Sequence, residues 1–172
     1  MKKIVLSLLA AFSLFAADLS LKEGSLFAHT EMLMDSTIDP INKSLHADIS
    51  MQDDDITTIR GKFWVEMSLF KSDKSDRDEH MYKSVEADKF KFATYQILNI
   101  KKDKEGYIID GELDFHGVKK PLIAKANIDT KVGSLDIEAT SKLLVSDFGI
   151  EMPCMVFMCV RDQVDIVLKA KF

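Results

Sequence analysis

Alternation of apolar and polar residues dominates the chain after residue 43, and it constrains the fold more than any other feature. Every second residue from Leu45 to Met51 is apolar, and the residues between them are polar. This period of two is typical of β-strands that have one dry face and one wet face. The same pattern recurs in the segments 63–69, 107–115, 122–128, 135–139 and 164–172.

Short polar segments separate these candidate strands. DKEG at 103–106 and DTKVG at 129–133 end in glycine, and HGVKKP at 116–121 is another tight connection. Such segments are typical of hairpin loops, so successive strands are predicted to pair in antiparallel fashion. GSLFAHTEMLM, residues 24–34, is the best candidate for an early strand.

One charged segment, residues 72–90, breaks the alternation. Its apolar residues Met81 and Val85 fall at helical spacing, and Asp76 precedes Glu79 by three residues, as a helix N-cap precedes its partner. We therefore predict a helix from about residue 77 to 88. The fold class is then all-β with one helix, and seven or eight long strands predict a closed antiparallel barrel, since closure removes exposed sheet edges.

The first sixteen residues have the pattern of a secretory signal peptide. Lys2 and Lys3 precede an apolar run that ends at Phe15, and two alanines follow. Cleavage after Ala16 would leave a single domain, residues 17–172, in the periplasm. An uncleaved N-terminal anchor helix stays open as the alternative, although the apolar run is short for a membrane span.

The charge and motif content argue against two functional classes. Without the first sixteen residues the chain has 21 Lys and Arg against 28 Asp and Glu, and it lacks the basic stripe that nucleic-acid binding requires. No nucleophile elbow or phosphate-binding glycine loop is present, and the four histidines lack zinc-ligand spacing. We therefore predict no catalytic residue, no metal and no cofactor.

The apolar stretch PCMVFMCV, residues 153–160, contains both cysteines of the chain. In an oxidising compartment two cysteines commonly form a disulfide, and Pro153 argues against a central strand. We predict a loop closed by a Cys154–Cys159 disulfide at one end of the barrel, with Met155 and Phe157 on an apolar lip at the lumen mouth. A buried strand, with the two cysteines on opposite faces, is the alternative.

The dry faces of at least six strands predict a lumen that holds an apolar guest. The alternative is a lumen filled by side chains, in a structural or inhibitory barrel that acts through its outer surface. The predicted wall and ligand-binding residues are Phe63, Val65, Met67, Tyr95, Ile97, Leu113, Phe115, Ile137, Ile166 and Leu168.

Three motifs in order carry a resemblance to a known family: RDEHMYKSVEADKF at 77–90, GELDFHGVKKPL at 111–122 and SDFGI at 146–150. Over roughly residues 60–172 the chain resembles the YceI-like family of polyisoprenoid-binding, lipocalin-like periplasmic proteins. The resemblance implies an eight-stranded antiparallel barrel with a helix near its mouth. It also implies an apolar tunnel for a polyisoprenoid, an isoprenoid quinone or another fatty amphiphile, and no catalysis.

The family motifs also suggest which residues surround the mouth of the lumen. Val145 stands where the family usually has an arginine, so a cation that could meet a pyrophosphate head is missing there. Transient membrane contact and a homodimer are left open. The residues that match family motif positions, and that we therefore expect at the mouth, are Arg77, Asp78, His80, His116 and Asp147.

Overall fold

The computed structural model describes residues 16–32, 36–131, 133–155 and 158–172. The predicted signal peptide therefore lies outside the described residues, except for Ala16. The strands are β1 Ala16–Leu19, β2 Glu23–Met32, β3 Ser36–Ile38, β4 Ile41–Asn42, β5 His46–Gln52, β6 Asp55–Glu66, β7 Phe92–Asp103, β8 Gly106–Phe115, β9 Val118–Lys131, β10 Ser134–Leu144, β11 Cys154–Met155, β12 Met158–Cys159 and β13 Gln163–Lys171. The helix α1 is Ser75–Ser84, and two 3₁₀ turns are Met67–Leu69 and Val145–Phe148.

Eight long antiparallel strands form the wall of the fold. They are hydrogen-bonded in the order β5-β6-β7-β8-β9-β10-β13-β2, and the short strands β1, β3 and β4 extend the sheet at its two ends. The alternation in the sequence places one face of each strand inside and the other in solvent. The predicted eight-stranded, lipocalin-like architecture is confirmed, with short strands added at the edges.

The first described segment joins the two ends of the curled sheet. Ala16–Leu19 pairs with β5 at one end, and Glu23 pairs with Lys171 of β13 at the other end. The stretch from Ala16 to Met32 thus pairs with β5 through β1 and with β13 through β2, so the two ends of the strand order are consecutive in the chain. Closure of this kind leaves little exposed edge for pairing with another chain.

The two ends of the barrel differ. The hairpins β5–β6, β7–β8 and β9–β10 turn at one end, which we call the hairpin end, and buried side chains pack it. Opposite lies the helix end, which carries α1, the β8–β9 turn and the β10–β13 connection. The packed side chains of the hairpin end include Ile59, Ile97, Ile100, Leu135 and Phe172.

The helix lies between β6 and β7, as predicted near the mouth, but its limits and cap differ from the prediction. It begins at Ser75, and no side chain caps it at Lys74. Asp78 lies in the first turn, and its carboxylate accepts a hydrogen bond from the Ser72 backbone N–H at 2.8 Å. The helix ends early because Glu86 adopts φ +47°, a left-handed conformation that does not continue an α-helix.

The β10–β13 connection contains a small hairpin. Cys154 and Cys159 are register partners in β11–β12, and a disulfide joins them. Val160 bridges to Met32 of β2, so the hairpin is attached to the barrel at its helix end. In the described part of the chain, no helix has the length and apolar character needed to cross a membrane.

Candidate ligand-binding cavity

A cavity of about 1050 Å³ occupies the helix end of the barrel and opens beside α1. It borders β8 from Ile109 to Phe115, which is about 20 Å of strand at roughly 3.4 Å per residue. With the strand tilt of roughly 35–45° that barrels require, its depth is about 15 Å. The cavity is therefore a closed-bottomed tunnel, because the packed hairpin end blocks the rest of the lumen.

Most of the predicted wall residues face this cavity. Ile97 is the exception, because it is buried opposite Gly61 and does not line the cavity. Contact of the predicted wall residues with a ligand stays a prediction. The predicted residues that line the cavity are Phe63, Val65, Met67, Tyr95, Leu113, Phe115, Ile137, Ile166 and Leu168.

Small side chains on the inner face create the open space. Ala28, Ala93, Ala124 and Ala139 line the cavity on four different strands. They are absent from the predicted wall residues, although each follows the apolar alternation of its strand. Alanine at inward positions of several strands is the signal that separates an open lumen from a filled one, because large residues at these positions would close it.

Tyr95 brings the main polar atom of the deep wall. Its hydroxyl donates to the backbone carbonyl of Leu122 at 2.9 Å, and burial raises the pKa of the phenol well above its usual range. Gly111 makes this position available, because a Cβ at residue 111 would lie 2.2 Å from the Tyr95 ring. The hydroxyl is neutral and already bonded to the protein, so it does not oppose an apolar guest.

Charged residues gather on one side of the cavity mouth. Arg77 and His80 of α1 line it as predicted, together with Lys74 and Lys83. Arg77 donates to the Thr37 carbonyl at 3.1 Å, which ties α1 to β3. Its guanidinium is thus partly engaged by the protein before any ligand arrives.

Asp78 does not line the cavity. It is only 4% exposed, and its bond to the Ser72 N–H holds the loop before the helix. The carboxylate is therefore placed to order the start of α1 rather than to meet a ligand.

His116 and Asp147 likewise lie on the rim without facing the cavity. The His116 ring bonds to the Phe148 carbonyl at 3.0 Å and to the Glu86 carboxylate at 2.9 Å, and it packs on Phe90. Asp147 forms an ion pair with Lys120 at 2.8 Å on the outer side of the wall. These motif residues lie at the rim and hold the helix end together, and their contact with a ligand stays a prediction.

The position of Val145 and the predicted apolar lip are the remaining features of the rim. Val145 is buried and lines the cavity, so no cation stands at that position. Phe157 lies outside the described residues, and the Met155 side chain is not described either. Their place on a lip stays a prediction. Within the described ranges, no three His, Cys, Asp or Glu side chains are grouped so as to hold a metal ion.

Comparison with known sequences identifies relatives over the whole described domain. The model of the YceI-like domain matches residues 17–172, which extends the resemblance well beyond residue 60. The UPF0312 protein of Serratia proteamaculans is 32% identical over 84 residues. That match covers 44% of each chain, so it spans less than half the length of this relative.

Solved structures share the fold at low identity. Burkholderia cenocepacia BcnA has a TM-score of 0.75 at 12% identity, with 87% of this chain and 96% of that one covered. A polyisoprenoid binding domain from Saccharophagus degradans has a TM-score of 0.66 at 12% identity, covering 88% and 95%. The Campylobacter jejuni YCEI protein has a TM-score of 0.62 at 18% identity, covering 100% and 98%.

Proposed function

This chain belongs to the YceI-like domain family, and from that premise we propose that it binds a polyisoprenoid or another long-chain amphiphilic lipid. We propose further that it does so in the periplasm, as a carrier that shields the apolar chain from water. An enzymatic role is not part of the proposal.

The observation that carries the proposal is the open cavity itself. Its volume of about 1050 Å³ is at the upper end of the roughly 300–1,000 Å³ usual for small-molecule sites. Its walls are mainly aliphatic and aromatic, and the cavity is a tunnel that is closed at its inner end. This shape suits a long chain better than a compact ligand. A side-chain-filled barrel is disfavoured, because only the hairpin end is packed.

Burial of the chain supplies the driving force. Each methylene transferred from water contributes about 0.8 kcal/mol, so ten buried methylenes contribute roughly 8 kcal/mol before the costs of ordering. The entropy lost on association and on immobilising the chain offsets several kcal/mol of this free energy. The expected affinity is therefore moderate, which suits a carrier that must also release its ligand.

The mouth offers cations on the α1 side. Lys74, Lys83 and His80 line it there, whereas Arg77 is already bonded to Thr37 and Asp73, and Val145 adds no charge. An alcohol or a quinone head fits this mouth, and a phosphate head would depend on the lysines beside α1. The structure of the Saccharophagus degradans polyisoprenoid binding domain supports the choice of ligand class by analogy of fold.

The direct test is organic extraction of protein purified from its own host, followed by mass spectrometry of the extract. We expect a single class of isoprenoid or long-chain amphiphile near one molecule per chain. A clean extract, together with no saturable uptake of added polyprenol or quinone, would contradict the proposal.

A matched pair of variants links the ligand to the cavity. Ala139→Trp places a large side chain into the lumen, and we expect it to lower the extracted ligand at least tenfold. Leu98→Trp adds an indole on the outer face of β7, where Leu98 is 58% exposed, and should leave the ligand content unchanged. Circular dichroism of both variants checks that the barrel is folded. Equal ligand content in the two variants would place the binding site elsewhere.

A further inference from the structure

The barrel wall is split between β9 and β10 at the helix end. Their ladder runs from Ser134–Lys131 to Thr140–Lys125 and goes no further, although β10 continues to Leu144 and β9 begins at Val118. The upper part of β9 still pairs with β8, and the upper part of β10 still pairs with β13. Two well-ordered strands therefore diverge within an otherwise continuous wall.

Local chemistry stops the ladder at this point. Pro121 has no backbone N–H and cannot donate to β10. The Ser141 hydroxyl donates to the Ile123 carbonyl at 2.7 Å, and thus replaces a ladder bond at the base of the split. At the top, the Lys120–Asp147 ion pair of 2.8 Å connects β9 to the 3₁₀ turn after β10. The split is therefore a gap that is bounded below by the Ser141–Ile123 hydrogen bond and above by the Lys120–Asp147 ion pair, which we call its lower and upper closures.

The gap connects the cavity with the outer surface. An outer cleft of about 250 Å³ lies over the split, and Leu122 and Leu143 line both this cleft and the cavity. These two leucines would face each other if the ladder continued, because Thr140 pairs with Lys125 and the register runs in opposite directions. A pair of side chains, and no hydrogen-bonded backbone, thus separates the lumen from solvent here.

Each outer lip of the gap carries one exposed aliphatic side chain, beside the charged Lys120, Lys142 and Asp147 that line the cleft. Ile123 is 62% exposed and Leu144 is 46% exposed, one on each side of the split. Beside an opening into an apolar lumen, these two side chains offer a hydrocarbon chain its first apolar contact. Since the lumen behind them is also apolar, the natural occupant of the passage is a hydrocarbon chain.

We infer that this gap, bounded by Leu122, Leu143 and the two lips, is a side window through which the apolar chain of the ligand enters and leaves the barrel. The inference rests on the proposed function, since it concerns the passage of the same ligand. The head group would stay near the mouth beside α1 while the chain moves sideways between the leucines. A chain that enters sideways avoids being threaded end-on into a closed-bottomed tunnel.

A passage of this kind affects rates and leaves the equilibrium unchanged. Substitutions on the lips do not contact the bound chain in the lumen, so they change the barrier to entry and exit equally. Association and dissociation rates should therefore change by the same factor while the dissociation constant stays constant. This combination separates a passage from a binding surface, whose loss raises the dissociation rate alone.

The test uses retinol, a fluorescent isoprenoid alcohol, in stopped-flow binding and release measurements on the full mature chain. Ile123→Glu combined with Leu144→Glu places charge on both lips, and we expect both rates to fall about tenfold with the dissociation constant within twofold. Leu98→Glu is the matched control, since Leu98 is a similarly exposed aliphatic residue on another strand. Its rates should equal those of the unmodified protein.

A second variant acts in the opposite direction. Lys120→Ala removes the upper closure, which is an exposed ion pair with little effect on folding, and both rates should rise severalfold. If retinol binds but neither variant changes its rates, the window is wrong and the proposed function stands. If the unmodified protein binds neither retinol nor added polyprenol and its organic extract is clean, the proposed function fails, and the side window is wrong as well.

Discussion

The deep wall of the cavity depends on one close contact between two residues. Tyr95 reaches across β8 to the Leu122 carbonyl, and it passes directly over Gly111, where a Cβ would lie 2.2 Å from the ring. The glycine is thus required by its neighbour, since its own backbone is not left-handed. The Tyr95 ring, held in this way, forms a fixed part of the deep cavity wall.

Gly111→Ala should destabilise the fold by about 1–3 kcal/mol, because the methyl group displaces the Tyr95 ring from a packed position. In a Tyr95→Ala background the same change should be neutral or stabilising by about 0.4–1 kcal/mol, since alanine restricts the unfolded chain more than glycine. Urea unfolding of the two single variants and the double variant gives the coupling. If the changes in the free energy of unfolding are additive, the contact with Tyr95 is not the reason that residue 111 is glycine.

A second residue-level prediction concerns acid. Asp39 bonds to His29 at 2.5 Å and to Thr37 at 2.8 Å, and these hydrogen bonds, the first above all, hold the pKa of its carboxyl below the usual 3.8. A lowered pKa stabilises the fold above pH 3.8, and this contribution is lost as the pH falls through the lowered value. Asp39→Asn should cost below about 1 kcal/mol at neutral pH, because the pair is exposed. Urea unfolding at a series of pH values should show the difference shrink as the pH falls below 3.8 and through the lowered pKa of Asp39.

Among the secondary-structure elements, the sequence predicts the repeated strand pattern and misses features that occur at one place only. Alternation predicts the long strands and the dry face, because burial on one side imposes period two on each strand. The early end of α1 depends on the backbone of Glu86, and whether a buried inward residue such as Ile97 borders the cavity depends on how the neighbouring strands pack around it. The split between β9 and β10 depends on pairing between strands, which no single strand encodes apart from the hint of Pro121.

The β11–β12 hairpin is closed by a disulfide whose contribution to stability can be measured. Replacing Cys154 and Cys159 by serine should cost up to about 2 kcal/mol, the chain-entropy value for so short a ring. We expect a local effect, because the hairpin is held to the barrel mainly at Val160 and Arg161. Hydrogen exchange at these two amides should accelerate, while the β10–β13 ladder stays protected. Two free thiols in unreduced, denatured periplasmic protein would instead show that the bond does not form.

At the scale of the whole molecule, export is compatible with the fold. Cleavage after Ala16 would leave Ala17–Leu19, which retains three of the four β1–β5 pairs. We therefore expect the mature protein to begin at Ala17 or Asp18. Intact-mass measurement of periplasmic material checks this, and a mass that includes Met1 would contradict cleavage.

The open cavity also couples ligand binding to the stability of the whole molecule. A ligand that binds only the folded barrel stabilises it by about 2.7 kcal/mol at one hundred times its dissociation constant. For a domain of this size each kcal/mol raises the unfolding midpoint by about 2–4 °C, so the expected rise is roughly 5–11 °C. Scanning calorimetry of delipidated protein, with and without added polyprenol, measures it.

The Ala139→Trp variant is the control for this coupling. Its indole occupies part of the cavity, so added polyprenol should leave its unfolding midpoint unchanged, whereas Leu98→Trp should keep the full rise. A rise of equal size in both variants would mean that the lipid stabilises the outer surface of the barrel. A rise confined to proteins with an open lumen follows only if the chain is bound inside, because a ligand excluded from the cavity has no differential affinity for the open barrel.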